Sequence, residues 1–258
     1  MKIQYLSDLH LDFAPMLDLT NSEGADVLVL AGDLAEYPRG LDWLLRQAKQ
    51  YKYVLYVLGN HEFYHNEYND VLVGVREYCK NTNILFLHNE TFYYNDVVFV
   101  GSTFWTDFRG KNPIAMLACQ KGMNDYNCIR HKSVFNPRAG TFKITPEFIL
   151  HKHEQAVEYV FETCKIWADK KVVVITHHAP SLQAYKNSPH RGDILNAGFA
   201  SDYDRVIMNY PNIKAWIYGH LHDTHTYKIG ETQLYINARG YKPYGEDKNF
   251  NLKACFEI

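Results

Sequence analysis

No run of apolar residues comes close to the roughly 18 that a membrane span requires, so no membrane partner is expected. Cysteine offers little: there are five, an odd number, and no CxxC pair. That pattern fits neither a zinc knuckle nor a disulfide framework, and reads as reduced thiols in a cytoplasmic protein. Neither sign of charge dominates, since 27 Lys+Arg face 29 Asp+Glu for a net of −2. Nothing in that balance marks a nucleic-acid-binding or membrane-surface protein. Internal repeats and low-complexity tracts are missing. The N-terminal residues reach Asp8 too soon for a signal peptide.

What is present is a chain of 258 residues, 47% of them hydrophobic. This suits a single α/β domain over 1–258 with a sizeable core. Short β-branched runs alternate with helical patterns. The runs Ile3–Leu6, Val27–Leu30, Tyr53–Leu58, Ile84–Leu87, Val172–Ile175 and Lys214–Tyr218 read as strands. Hairpins are expected around Asn95-Asp96 and Gly230. Helical patterns cover about 38–51, 67–80 and 146–168, the last with Thr145 as N-cap, and Ser201–Met208 with Ser201 and Asp204 placed like a capping box. Alternation of this kind predicts a largely parallel sheet with antiparallel additions. Residues 105–143 and 180–200 lack periodicity and read as loops or insertions that could overhang a site.

The chemistry gathers at the ends of the strands. Asp8 and His10 follow the first, Gly32-Asp33 the second and Gly59-Asn60-His61-Glu62 the third. His177-His178 and Gly219-His220-Leu221-His222 follow two later strands. In an open α/β sheet, ligands bind beyond the carboxyl ends of the strands. Parallel neighbours would therefore bring all five groups to one edge. Two Asp, four His and one Asn, with no thiolate, suit Mn, Fe, Zn, Ni or Co. Seven donors exceed one tetrahedral site and suit two ions about 3.5–4 Å apart that share a carboxylate. The D-x-H and H-x-H spacings place paired side chains on one side of an extended backbone, and Gly32, Gly59 and Gly219 read as tight turns.

In this order the motifs resemble those of the calcineurin-like metallophosphoesterases, over residues 8–222. The resemblance implies a four-layer α/β/β/α sandwich with mixed sheets. It implies that Asp8, His10 and His222 hold one divalent metal ion, that Asn60, His177 and His220 hold a second, and that Asp33 bridges them. Manganese is the first expectation for both. A hydroxide between the ions would attack a phosphomonoester or phosphodiester, and His61 would assist the leaving oxygen. The GDxxDRG segment of the Ser/Thr protein phosphatases is lacking after Gly32-Asp33. The Thr176–Ser181 and Asn237–Tyr241 segments look more like the small phosphohydrolases of bacteria and phages.

Other signals were weighed against plainer readings. Arg239 and Trp105 are candidate substrate contacts. His178 reads as structural, His225 as a surface residue, and His88, His131, His151 and His153 as surface or packing residues. His61-Glu62-Phe63-Tyr64-His65 matches the HExxH protease pattern, but it starts at a strand end rather than on a helix face. Residues 109–143 carry Arg109, Lys111, Lys121, Arg130, Lys132, Arg138 and Lys143 against Asp125, a local charge of +6. With Tyr126, Phe135 and Phe142 interleaved, this reads either as a solvated insertion or as a lid attracting a small phosphorylated substrate, such as a nucleotide or nucleic-acid end. A non-catalytic scaffold on the same fold is the alternative of a different class. The oligomeric state is not legible.

Overall fold

The computed structural model describes residues 1–14, 17–133, 139–186 and 192–258. Its first sheet has the strand order β13-β1-β2-β3-β4. These are β1 (Lys2–Leu6), β2 (Val27–Ala31), β3 (Tyr53–Val57), β4 (Ile84–Phe86) and β13 (Cys255–Glu257). The first four run parallel, and β13 pairs antiparallel with β1. The second sheet has the order β11-β12-β10-β9-β6-β5. It contains β5 (Glu90–Tyr94), β6 (Val97–Ser102), β9 (Lys171–Thr176), β10 (Ile213–Tyr218), β11 (Thr224–Ile229) and β12 (Thr232–Asn237). Here β6, β9, β10 and β12 are parallel, with a hairpin partner at each edge.

Alternation along the strands divides the core into three. Val27, Val29 and Ala31 of β2 face Val173 and Ile175 of β9 across the space between the sheets, with Phe99 and Ile217. The intervening Leu28 and Leu30 face outward onto α1 (Leu41–Ala48) and α2 (Tyr68–Cys79). On the far side, Val172, Val174 and Trp216 pack against Ala156, Val160 and Cys164 of α6 (Pro146–Ile166). A side-chain period of two makes both sheet faces apolar, so each sheet is covered on both sides. The result is the expected four-layer α/β/β/α sandwich.

Thr145 caps α6 as expected, its hydroxyl accepting from the Phe148 amide at 3.3 Å. The capping box at Ser201 is not formed. Helix α7 covers only Asp204–Ile207, the Ser201 hydroxyl accepts from the Asp107 amide, and Asp204 accepts from Gln183. Within 105–143, expected to be a loop or an insertion, the described residues form α3 (Phe108–Lys111), α4 (Pro113–Gly122), α5 (Asp125–Cys128) and the antiparallel pair β7 (Arg130–Lys132) and β8 (Thr141–Lys143). The segment's weak periodicity has a cause. Helix α4 buries only Ala115 and Cys119, so no long apolar stripe is needed. Phe135 and Arg138 lie outside the described residues. The free thiols expected for all five cysteines are found.

Phe99 is fully buried between the sheets. Phe99→Ala should cost about 3–5 kcal/mol, and Thr145→Ala only about 1 kcal/mol. Urea midpoints of the two variants test that ranking.

Candidate metal centre

The two sheets are joined at their carboxyl edges. Ser7, just beyond β1, bridges in parallel to Ala238, just beyond β12. From there the post-strand loops interlock. The Asp8 amide donates to the Gly32 carbonyl, the His10 amide to Asp33, and the Gly240 amide to Asp8. On the second sheet the Gly219 amide donates to the His177 carbonyl.

Two donor groups result, and they share one carboxylate. One group is Asp8, His10, Asp33 and His222, and the other is Asp33, His177 and His220; within each, the donor atoms lie within 4.8 Å of one another. Asp33 Oδ2 is 3.7 Å from His10 Nε2 and 3.4 Å from His177 Nε2. Asp33 Oδ1 is taken by the His61 amide at 2.9 Å. Asn60 adds its Oδ1 at 3.1 Å from His177 Nε2, so all seven sequence candidates converge. His10 and His222 present Nε2 to Nε2 at 3.0 Å, and His177 Nε2 meets His220 Nδ1 at 3.2 Å.

Imidazole nitrogens that face each other so closely among carboxylates suit a cation better than a proton. The outer nitrogens fit the same reading, because two are anchored and leave the inner lone pairs to point inward. His177 Nδ1 donates to the Ala31 carbonyl at 2.9 Å, and His222 Nδ1 meets Glu246 at 2.6 Å. Burial holds His10 and His220 well below the ordinary histidine range, in the neutral form that binds metal. Burial also opposes charge on His177, but the Asp33 carboxylate reverses this and raises it to about 10. For Asp33, burial is outweighed by His177 and then His61, which hold it well below the usual carboxylate range. Asp8 moves up, through burial.

The backbone under the ligands differs from expectation. Asp8, His10, Asp33, His220 and His222 have φ of 51°, 43°, 55°, 71° and 45°. The D-x-H and H-x-H pairs are therefore left-handed turns rather than extended strand, and convergence comes from the turn. Asp and His tolerate this region better than most residues. Of the three glycines, Gly32 alone has a positive φ, 86°. Gly59 and Gly219 are required for space: a Cβ would meet Asp33 Oδ1 at 2.1 Å and Asp8 Oδ2 at 2.5 Å respectively.

His61 lies beside the ligands, with its ring stacked on Tyr64 at 4.3 Å. The Tyr241 hydroxyl and His61 Nε2 share a hydrogen bond of 2.9 Å. The protease pattern is not realised. Residues 61–63 form a single 3-10 turn, and His65 is 65% exposed beside Glu36. Glu62 is buried as an acceptor for the amides of Asp33, Leu34 and Gly59 and for the Tyr56 hydroxyl. It is a strut under the Asp33 turn.

Arg239 and Trp105 do not face the cleft. Arg239 is 1% exposed and donates to the Leu9 carbonyl; Trp105 is 2% exposed against Phe63 and His178. His178 is a buried packing residue whose Nδ1 bonds to the Thr103 carbonyl. His225 is half-buried and pairs with Asp223. The basic insertion does wall the cleft, through Gly122, Met123, Asn124 and Asp125, and four of its cations bond to other parts of the protein. Arg109 donates to the Asp193 carbonyl, Lys111 pairs with Glu154, Lys132 with Asp70, and Lys143 with Asn127.

Three partners escaped the sequence reading. Asp125 accepts from Asn60 Nδ2 at 2.8 Å and from the Tyr64 hydroxyl at 2.6 Å, which turns the Asn60 oxygen inward. Glu246 braces His222, and Tyr241 stacks on His10 at 4.5 Å. The available signal for Asp125 was its being the one acid in a basic run. Nothing local marked the others.

Fold and donor set together define a class, an α/β/β/α protein with an oxygen- and imidazole-rich centre at its joined strand ends. The chain belongs to the calcineurin-like phosphoesterase family, which it matches over residues 1–224. It is 27% identical to an uncharacterized protein of Acanthamoeba polyphaga mimivirus, over 99% of this chain and 96% of that one. Among solved structures it is similar to the phosphopantetheinyl hydrolase PptH of Mycobacterium tuberculosis, with a TM-score of 0.72, 16% identity and coverage of 97% and 94%. It is also similar to a Staphylococcus aureus protein provisionally assigned as a 5′-nucleotidase, with a TM-score of 0.52 and 14% identity over 93% of this chain and 49% of that one. No helix among the described residues is long and apolar enough to cross a membrane.

Gly59 contributes no donor, yet it packs against Asp33. Gly59→Ala should keep its far-UV circular dichroism and lose about 10–100-fold in affinity for Mn²⁺, as measured by calorimetry. Affinity equal to wild type would show that the close approach is dispensable.

Proposed function

We propose that the protein is a hydrolase of phosphoesters that works with two divalent cations. The observation that carries this reading is the pair of donor groups sharing Asp33. Asp8, His10 and His222 would hold one cation, Asn60, His177 and His220 the other, and Asp33 both. Manganese is our first choice, and Fe, Zn, Ni or Co suit the same donors. Bound there, such ions supply an activated water and neutralise the phosphate charge. Family membership supports the hydrolase reading, as does the fold shared with a protein named as a phosphopantetheinyl hydrolase.

The chain's own residues would do the rest. Asp125 fixes which atom Asn60 presents, and Glu246 fixes the His222 ring. The Asp33 carboxylate holds the His61 backbone, while Tyr64 and Tyr241 hold its ring. His61 is thereby placed beside both donor groups, where it would give a proton to the leaving oxygen. A small phosphorylated molecule is the substrate class we favour.

Mn²⁺-loaded protein should cleave bis-p-nitrophenyl phosphate or p-nitrophenyl phosphate. His61→Gln should keep its metal content by elemental analysis and lose on the order of 10²–10⁴ in kcat. Asp33→Asn should lose both metal and turnover. An active Asp33→Asn enzyme would sink the two-cation mechanism.

A further inference from the structure

Two recesses meet at the His61 ring. The first, about 460 Å³, contains the candidate ligands Asp33, Asn60, His220 and His222. The second, about 420 Å³, shares His61, Tyr64, Asn124 and Tyr241 with the first and contains none of the seven candidate ligands. The hydrogen bond between Tyr241 and His61 therefore forms a bar between the side of the candidate ligands and a side without them.

This second recess is aromatic. Phe13 and Tyr244 line it although they are 49% and 81% exposed, an unusual placing for such rings. Both stand edge-on to Tyr241, at 5.3 Å and 75° for Phe13 and 6.0 Å and 85° for Tyr244. Exposed aromatic rings lining such a slot suit stacking of a flat guest. Glu36 and His65, paired at 3.3 Å, give the slot a polar edge.

We infer that the substrate is a phosphodiester that lies across the His61–Tyr241 bar, with a flat aromatic leaving group such as a nucleoside in the Phe13–Tyr244 recess. The inference rests on the hydrolase reading above. In an in-line displacement the leaving group departs opposite the attacking water. A water attacking from the side of the candidate ligands would thus expel its partner toward the recess that holds none of them. The water oxygen bonds to phosphorus and releases one proton to solvent, from which His61 is afterwards reprotonated, and the ester P–O bond breaks. The departing oxygen takes a proton from His61, and the second substituent stays on the phosphomonoester product in the first recess. Charge points the same way. No lysine or arginine is among the described residues lining either recess, and Asp125, Asp193 and Glu246 line the first. A diester brings one negative charge into these surroundings, where a monoester brings about two.

The test uses Mn²⁺-loaded full-length protein and three esters: methyl p-nitrophenyl phosphate, a methyl phosphodiester of a compact fluorinated alcohol, and p-nitrophenyl phosphate. Wild type should favour the aryl diester over the aryl monoester in kcat/KM. Phe13→Ala with Tyr244→Ala should lower the aryl-to-fluoroalkyl ratio of kcat/KM about tenfold, mainly through KM. Both positions are exposed, and thermal melts check that the variants fold. An unchanged ratio would overturn the recess assignment, and a monoester preference would overturn the diester assignment. Absence of hydrolysis of all three esters would instead count against the hydrolase reading.

Discussion

The Asp33 carboxylate is the point on which the rest of the centre depends. It is 1% exposed and its two oxygens have separate tasks: Oδ1 holds the His61 backbone and Oδ2 lies between His10 and His177. A buried carboxylate without partners would be protonated or expelled. Here the surroundings are built to keep it. Glu62 ties down the Asp33 and Leu34 amides, Gly32 provides the turn, and Gly59 provides the space. Chain segments far apart in sequence thus answer to one functional group.

Holding that group in place strains the backbone. Five of the seven candidate ligands have left-handed φ. Each such residue costs on the order of 1–3 kcal/mol, a large sum beside a net stability of about 5–15 kcal/mol. The interlocked loops offset it, with amides of Asp8, His10 and Gly240 bonded across loops and the His220 amide bonded to the Asp8 carboxylate. Beneath them the central strands are apolar, with β1–β2 and β6–β9 paired in regular register. At the rim this strain aims donors, and it is not the only strain in the chain, since the buried Phe104, Trp105 and Phe108 also have φ of 71°, 53° and 54°.

The sequence revealed the candidate ligands because each follows a strand that is legible by itself. Val27–Ala31 or Lys171–Thr176 is a compact β-branched run, and an Asp or His after such a run stands out. What stayed hidden depends on direction across space. The net charge of residues 109–143 says nothing of which way the side chains point, and four of its cations, Lys111, Lys132, Lys143 and Arg109, reach Glu154, Asp70, Asn127 and the Asp193 carbonyl. Arg239 follows a strand as the ligands do, but it turns into the protein toward the Leu9 carbonyl. Strand β13 is three residues long and gains its identity only by pairing with β1. Asp125 and Glu246 act on ligands 65 and 24 positions away, a relation no local pattern encodes.

Chemistry and selectivity are thereby assigned to different parts of the chain. The two sheets supply the donors, and they do so through backbone geometry that leaves little room for variation. The walls come from elsewhere: α4–α5, the turn at Ile194–Gly198 and the segment from Tyr241 to Glu246. Those parts pack on one another, with Gly122 against Leu195 and Gly198 against Met123. They reach the donors through a few side-chain contacts: Asp125 to Asn60, Glu246 to His222, and Tyr241 against His10 and His222. A wall can therefore be reshaped with little disturbance of the sheets, provided those contacts persist. They bind the insertion and the C-terminal segment to the same centre that the strands build.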